Sequence, residues 1–134
     1  MAKEKPTIPQ RVDRKIQKRW TPKLAKPGFT PIVNVFLKGY VRLGLNSSEA
    51  MLITHLMSFK WDQNNPYPRM RLLAERMGMT ARSVRSIIKK LEDKKLLTRK
   101  QLPNERANRY ELFDLFRALE RQMDENPSSE ASAA

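Results

Sequence analysis

Leu72-Leu73-Ala74-Glu75-Arg76-Met77-Gly78-Met79-Thr80-Ala81-Arg82-Ser83-Val84-Arg85-Ser86-Ile87-Ile88 is the stretch on which the reading of this chain turns. Two helices that meet steeply through a three-residue turn need particular residues at particular offsets. Ala74 is small enough to let a second helix approach the first. Gly78, four residues on, tolerates the left-handed backbone such a turn requires. Thr80 offers an N-cap to the second helix, running to about Lys94. Val84, Ile87 and then Leu91 supply an apolar stripe that locks it to a core. Each signal is weak alone; at these offsets together they are specific.

The offsets match the helix-turn-helix pattern. Away from the Val84/Ile87/Leu91 stripe, the second helix presents Ala81, Arg82, Ser83, Arg85, Ser86, Lys89 and Lys90, with Thr80 at its start. A recognition helix puts its first residues on base edges and its basic flanks on phosphates. Arg82 and Arg85 suit bidentate contact with guanine, and Ser83 and Ser86 permit close approach. Arg69, Arg71 and Arg76 add positive charge on the preceding helix, of which Arg69 and Arg71 are expected to reach DNA. The competing reading is a solvated basic helix face.

Working outward, Pro31 suits a helical first turn, and Ile32, Val33, Phe36, Leu37, Tyr40 and Val41 continue with helical spacing until Gly44. Asn46 with Glu49 has the capping-box spacing and opens a helix to about Trp61, whose apolar face includes Met51, Leu52, Leu56, Met57 and Phe59. Residues 62–68 read as a loop, and residues 69–77 as the first helix of the motif. Beyond it, residues 96–101 and 107–113 read as two strands about the polar turn 103–106. A closing helix over about 114–124 carries Leu115, Phe116, Leu119 and Met123. The division expected is a basic, proline-rich arm at 1–28 with one helical stretch near Val12–Trp20, a folded domain at 29–124, and a disordered tail at 125–134.

The 134 residues carry 27 Lys plus Arg against 14 Asp plus Glu, a net charge of +13. By segment the balance is +7 over residues 1–26, +1 over 27–67, +9 over 68–110 and −4 over 111–134. Charge so arranged favours a polyanionic partner, although a basic protein of another kind shows a similar total. There is no Cys, so disulfides and thiolate metal sites are excluded, and no apolar run approaches a membrane span. The expected location is the cytoplasm, associated with the nucleoid when DNA is bound. In the arm, Arg11, Arg14, Lys15, Lys18 and Arg19 form either a solubilising tail or a strip laid along phosphates or the minor groove.

Other residues invite chemistry and do not support it. His55, the single histidine, lacks companions for a metal site. Glu49 and Asp62 read as a cap and a loop residue rather than an acid/base pair. No phosphate loop or nucleophilic triad is visible, so neither an enzyme nor a cofactor or metal is expected. Trp20, Trp61, Tyr40 and Tyr67 could stack on bases, but their settings favour packing in the core or arm. The seven methionines read as core filler.

From Asn65 to Leu112 the chain resembles the winged-helix helix-turn-helix family of bacterial regulators and of plasmid and phage replication proteins. The resemblance rests on Tyr67-Pro68, Leu73-Ala74-Glu75-Arg76-Met77-Gly78, Arg82-Ser83-Val84-Arg85, Leu91-Glu92-Asp93-Lys94-Lys95-Leu96-Leu97 and Asn108-Arg109-Tyr110. The family pattern often has Gly where Lys95 stands, which bears on the exit from the second helix. It implies a mainly α fold: a winged helix-turn-helix with two added N-terminal helices, a β-hairpin wing and a C-terminal helix. It also implies wing contacts by Arg99, Lys100, Arg106, Asn108 and Arg109, with a turn or capping role as the equal alternative for Asn108. The first functional expectation is a transcriptional regulator that binds duplex DNA as a homodimer. The alternative is a plasmid or phage replication-initiation or partition protein with a further protein partner. An interaction module whose charge binds RNA or an acidic protein is the third reading.

Overall fold

The computed structural model describes residues 10–60, 68–101 and 108–125, with side chains from residue 14 onward and not at 60, 101 or 108. The loop at 62–67, the turn at 103–106, the tail from 126, and Trp61 and Tyr67 therefore lie outside the described residues. The chain divides into two compact units, Met1–Pro31 and Ile32–Ala134. The first holds α1 (Gln10–Arg19) and the one-turn α2 (Pro22–Ala25). Thr21 caps α2 by accepting from the Leu24 amide at 3.1 Å, and Pro22 takes the first helical position, where its missing N–H costs nothing.

The second unit runs α3 (Asn34–Gly39), α4 (Ser47–Lys60), α5 (Met70–Met77), α6 (Ala81–Asp93), β1 (Thr98–Gln101), β2 (Asn108–Glu111) and α7 (Phe113–Glu125). It is mainly helical, with one two-stranded antiparallel sheet. The core gathers Phe36, Leu52, Leu56, Leu73, Val84, Ile88, Leu91, Leu97, Tyr110 and Leu115 from all these helices and from the hairpin. α4 buries Glu49, Ala50, Leu52, Ile53 and Leu56, and contacts both α5 and α6. It begins at the expected capping box: the Asn46 amide donates to Glu49 Oε1, and the Glu49 amide to Asn46 Oδ1, each at 2.8 Å.

Three helical segments end in the same way. At Gly44, Gly78 and Lys95 the backbone turns left-handed, with φ of 85°, 64° and 62°. In each case the next amide reaches back five residues: Leu45 to the Tyr40 carbonyl, Met79 to Ala74 and Leu96 to Leu91, at 3.0–3.1 Å. Two of the three sites have glycine, as the conformation favours; the third has lysine, where a side chain costs about 1–2 kcal/mol. The fold thus keeps the turn for which glycine is the usual residue. Lys95→Gly is expected to raise stability by about 1 kcal/mol, read as a higher denaturant midpoint at unchanged slope. An unmoved or lower midpoint would contradict strain at this position.

Several expectations need correction. The helix anticipated from Pro31 begins only at Asn34, because Val33 is extended at φ −73° and ψ 146°, a backbone that β-branched residues accept readily. α3 then turns Phe36 inward and leaves Val33, Leu37 and Val41 exposed. Met51 also faces outward on α4. On α6 the buried teeth are Val84, Ile88 and Leu91, and Ile87 is only half-buried at the core margin. β1 starts two residues later than expected, since Leu96 and Leu97 are buried before the pairing begins. Phe113, read as strand, opens α7 and is exposed. α7 buries Leu115, Ala118, Leu119 and Gln122, whereas Met123 is exposed. Gln122 belongs there because its amide donates to the Gly39 carbonyl at 3.2 Å, a pairing that apolar periodicity cannot reveal.

Candidate nucleic-acid interface

α5 and α6 are joined by residues 78–80. Gly78 ends one helix, and Thr80 opens the other by accepting from the Ser83 amide at 3.1 Å, while its hydroxyl lies 3.1 Å from Ser83 Oγ. The face of α6 opposite Val84, Ile88 and Leu91 presents Arg82, Ser83, Arg85, Ser86, Lys89 and Lys90, all exposed, with Ala81 half-buried. Ser83 is thereby both an exposed residue and part of the helix cap. Lys89 lies 3.8 Å from Asp93, a solvent-screened pair that costs little to open.

Residues expected around this helix fall into different settings. Arg69 and Arg71 are exposed at the start of α5. Arg76, by contrast, is engaged with α4: its guanidinium lies 4.6 Å from the Phe59 ring centroid, and one nitrogen donates to Ser58 Oγ at 3.2 Å. In the hairpin, Arg99 pairs across from Tyr110, and Lys100 across from Arg109, so these two pairs occupy opposite faces. Tyr110 is fully buried, and Arg99 reaches back to Glu92 of α6 at 3.3 Å. Lys100 lies 3.5 Å from Glu111 and Arg109 is half-buried. Asn108 opens β2, and Arg106 lies outside the described residues. In the other unit, Arg14, Lys15, Lys18 and Arg19 are exposed along α1; the Arg11 side chain is not among those described.

Lys94, at the C-cap of α6, is the residue that the sequence reading missed. Its ammonium donates to both oxygens of Glu49, at 2.8 and 2.9 Å, and to the Gly44 carbonyl at 2.7 Å. The Glu49 side chain is 1% exposed, so α6 is tied to the start of α4 through a carboxylate that also completes a cap. A capping box followed by an apolar run is visible locally; its cation, 45 residues away, is not.

His55 on α4 titrates below the usual histidine range, first because burial disfavours its charge and then because Arg76 lies nearby. The unfolded chain then binds more protons than the folded one between the folded value and the ordinary value of about 6.5. Stability should therefore fall as pH drops through that window, and His55→Gln should remove that part of the dependence. Equal slopes in pH-dependent unfolding of the two proteins would refute this. Trp20, expected to pack, is instead 67% exposed.

These features define a small, mainly helical domain with a strongly basic helix held against its core. The chain belongs to the DnaD N-terminal domain family, whose family model matches residues 32–131. Among solved structures it is similar to the N-terminal domain of DnaD protein from Geobacillus kaustophilus HTA426, with 24% identity and a TM-score of 0.64 over 86% of this chain and 96% of that one. At that identity the likeness speaks to the fold. No curated protein matches the sequence. Among the described residues, no helix is long and apolar enough to cross a membrane.

Proposed function

We propose that the protein acts in DNA replication as a duplex-binding factor, with α6 as a recognition helix in the major groove and the hairpin as a wing beside it. The observation that carries the binding reading is the single exposed face of Arg82, Ser83, Arg85, Ser86, Lys89 and Lys90 opposite a fully buried stripe. Such a face can reach base edges and phosphates together without disturbing the core. Membership of the DnaD N-terminal domain family favours the replication reading over the transcriptional one.

The arm residues Arg14, Lys15, Lys18 and Arg19, with Arg69 and Arg71, would extend the footprint along phosphates. Lys100 would contribute from the hairpin, while Arg99 would first have to release Glu92. Self-association is part of the proposal: Val33, Leu37 and Val41 recur every four residues and are all exposed. Selection of bound sequences from random duplexes at about 0.15 M salt tests the whole reading, because lower salt rewards charge alone. A preferred site is expected, and a two-fold repeat within it if binding is dimeric. Recovery of sequences no different from the starting pool would overturn it.

A further inference from the structure

The α1–α2 corner combines one exposed aromatic ring with cations on both sides of it. Trp20 stands at the end of α1, with its amide bonded to the Ile16 carbonyl at 2.9 Å, and Thr21 immediately begins the cap of α2. The corner backbone is therefore fixed by hydrogen bonds before and after the indole. Lys18 and Arg19 precede it, Lys23 and Lys26 follow it, and all four are exposed. An indole two-thirds exposed forgoes much of its burial energy, so packing within the unit does not explain its presence.

Cations flanking an exposed ring suit a ligand that is anionic along its length and carries flat, unpaired bases. Single-stranded nucleic acid has that chemistry, whereas a duplex keeps its base faces stacked inside. An anionic membrane surface would ask for a broad apolar helix face. α1 offers only half-buried Ile16 among its described side chains, and α2 adds the single exposed Leu24, which together fall short of such a face. We propose that Trp20, flanked by Lys18, Arg19, Lys23 and Lys26, is a stacking site for single-stranded DNA, built from residues other than those of the α6 face. The indole lies against a base, and the four cations follow the phosphates on either side of it.

The test uses the full chain with a fluorescently labelled oligothymidylate, a mixed-sequence duplex of equal length, and vesicles containing anionic phosphatidylglycerol, all at about physiological salt. Trp20→Ala should weaken oligothymidylate binding roughly ten-fold, the scale of one lost base stack, with the salt dependence unchanged because no charge is removed. Trp20→Tyr should retain most of the affinity, since any aromatic face stacks, and it also guards against a folding defect in the alanine variant. Duplex binding should stay constant in both. Unchanged oligothymidylate affinity in Trp20→Ala overturns the proposal. So does an equal loss on the duplex, and so does a loss confined to the vesicles. The duplex selection does not depend on the Trp20 indole, so either reading can fail while the other stands.

Discussion

Replacing Arg82 and Arg85 together with alanine is expected to abolish site preference on duplex DNA while leaving the fold intact. Both side chains are exposed on the first two turns of α6, where a recognition helix meets base edges. Each bidentate arginine–guanine contact contributes about 1–3 kcal/mol of discrimination, so the pair separates preferred from random sites by roughly a hundred-fold. Residual binding should persist through Lys89 and Lys90, with the salt slope little changed because the lost contacts are to bases and not to phosphates. The control removes the same charge elsewhere: Lys89→Ala with Lys90→Ala should weaken binding to all sequences alike and keep the preference. Retained preference in the Arg82/Arg85 variant, measured by competition between the selected duplex and a scrambled one, would remove α6 from its proposed role. Thermal unfolding should change little in either, because exposed substitutions usually act within about 0.5 kcal/mol.

The second large effect concerns the tie between α6 and α4. Lys94→Ala takes the cation from a carboxylate that is 1% exposed and leaves it the Asn46 amide as its remaining donor. Removing one partner of a buried ion pair costs about 3–5 kcal/mol. Lys94 is itself 35% exposed, so water can reach part of the vacated space, and a cost discounted below that range, about 2–3 kcal/mol, is expected. For a folded unit of this size that lowers the unfolding midpoint by roughly 10–20 °C. Changing both partners, as Glu49→Gln with Lys94→Met, should recover more than half of the loss, since no isolated charge then remains buried. A Lys94→Ala midpoint within a degree or two of the parent would show that the pair is energetically idle.

What could be read in the sequence has a common physical character. The Asn46/Glu49 box, the Thr80 cap and the Gly78 turn are each settled within a few residues, and all three form. The basic face of α6 followed from them, because a capped start and a buried Val84 fix the phase of the helix. The error from Ile87 to Ile88 is one step of that phase, and both residues are apolar enough for the pattern to accept either. What could not be read depends on distant partners. Lys94 meets Glu49 across 45 residues, and Gln122 meets Gly39 across 83. Apolarity also misled where it was taken to mean burial: Trp20, Leu37, Val41 and Met51 all face outward. The left-handed Lys95 had a partial signal, in that glycine is usual at its place in the resembling family. The fold holds the turn and bears the strain.

The two fastened ends of α6 have a thermodynamic consequence. Its first turn is closed by Thr80, and its last is stapled to Glu49 and Gly44. A helix already set in shape has no folding step to complete when it meets a ligand, so association needs no ordering entropy from this element. On the proposed reading, calorimetry of duplex binding should show a heat-capacity change matching the area of a rigid-body interface, without the surplus left by coupled folding. The affinity of α6 for DNA is then set by its exposed side chains, and the propensity of its backbone to be helical drops out of the comparison.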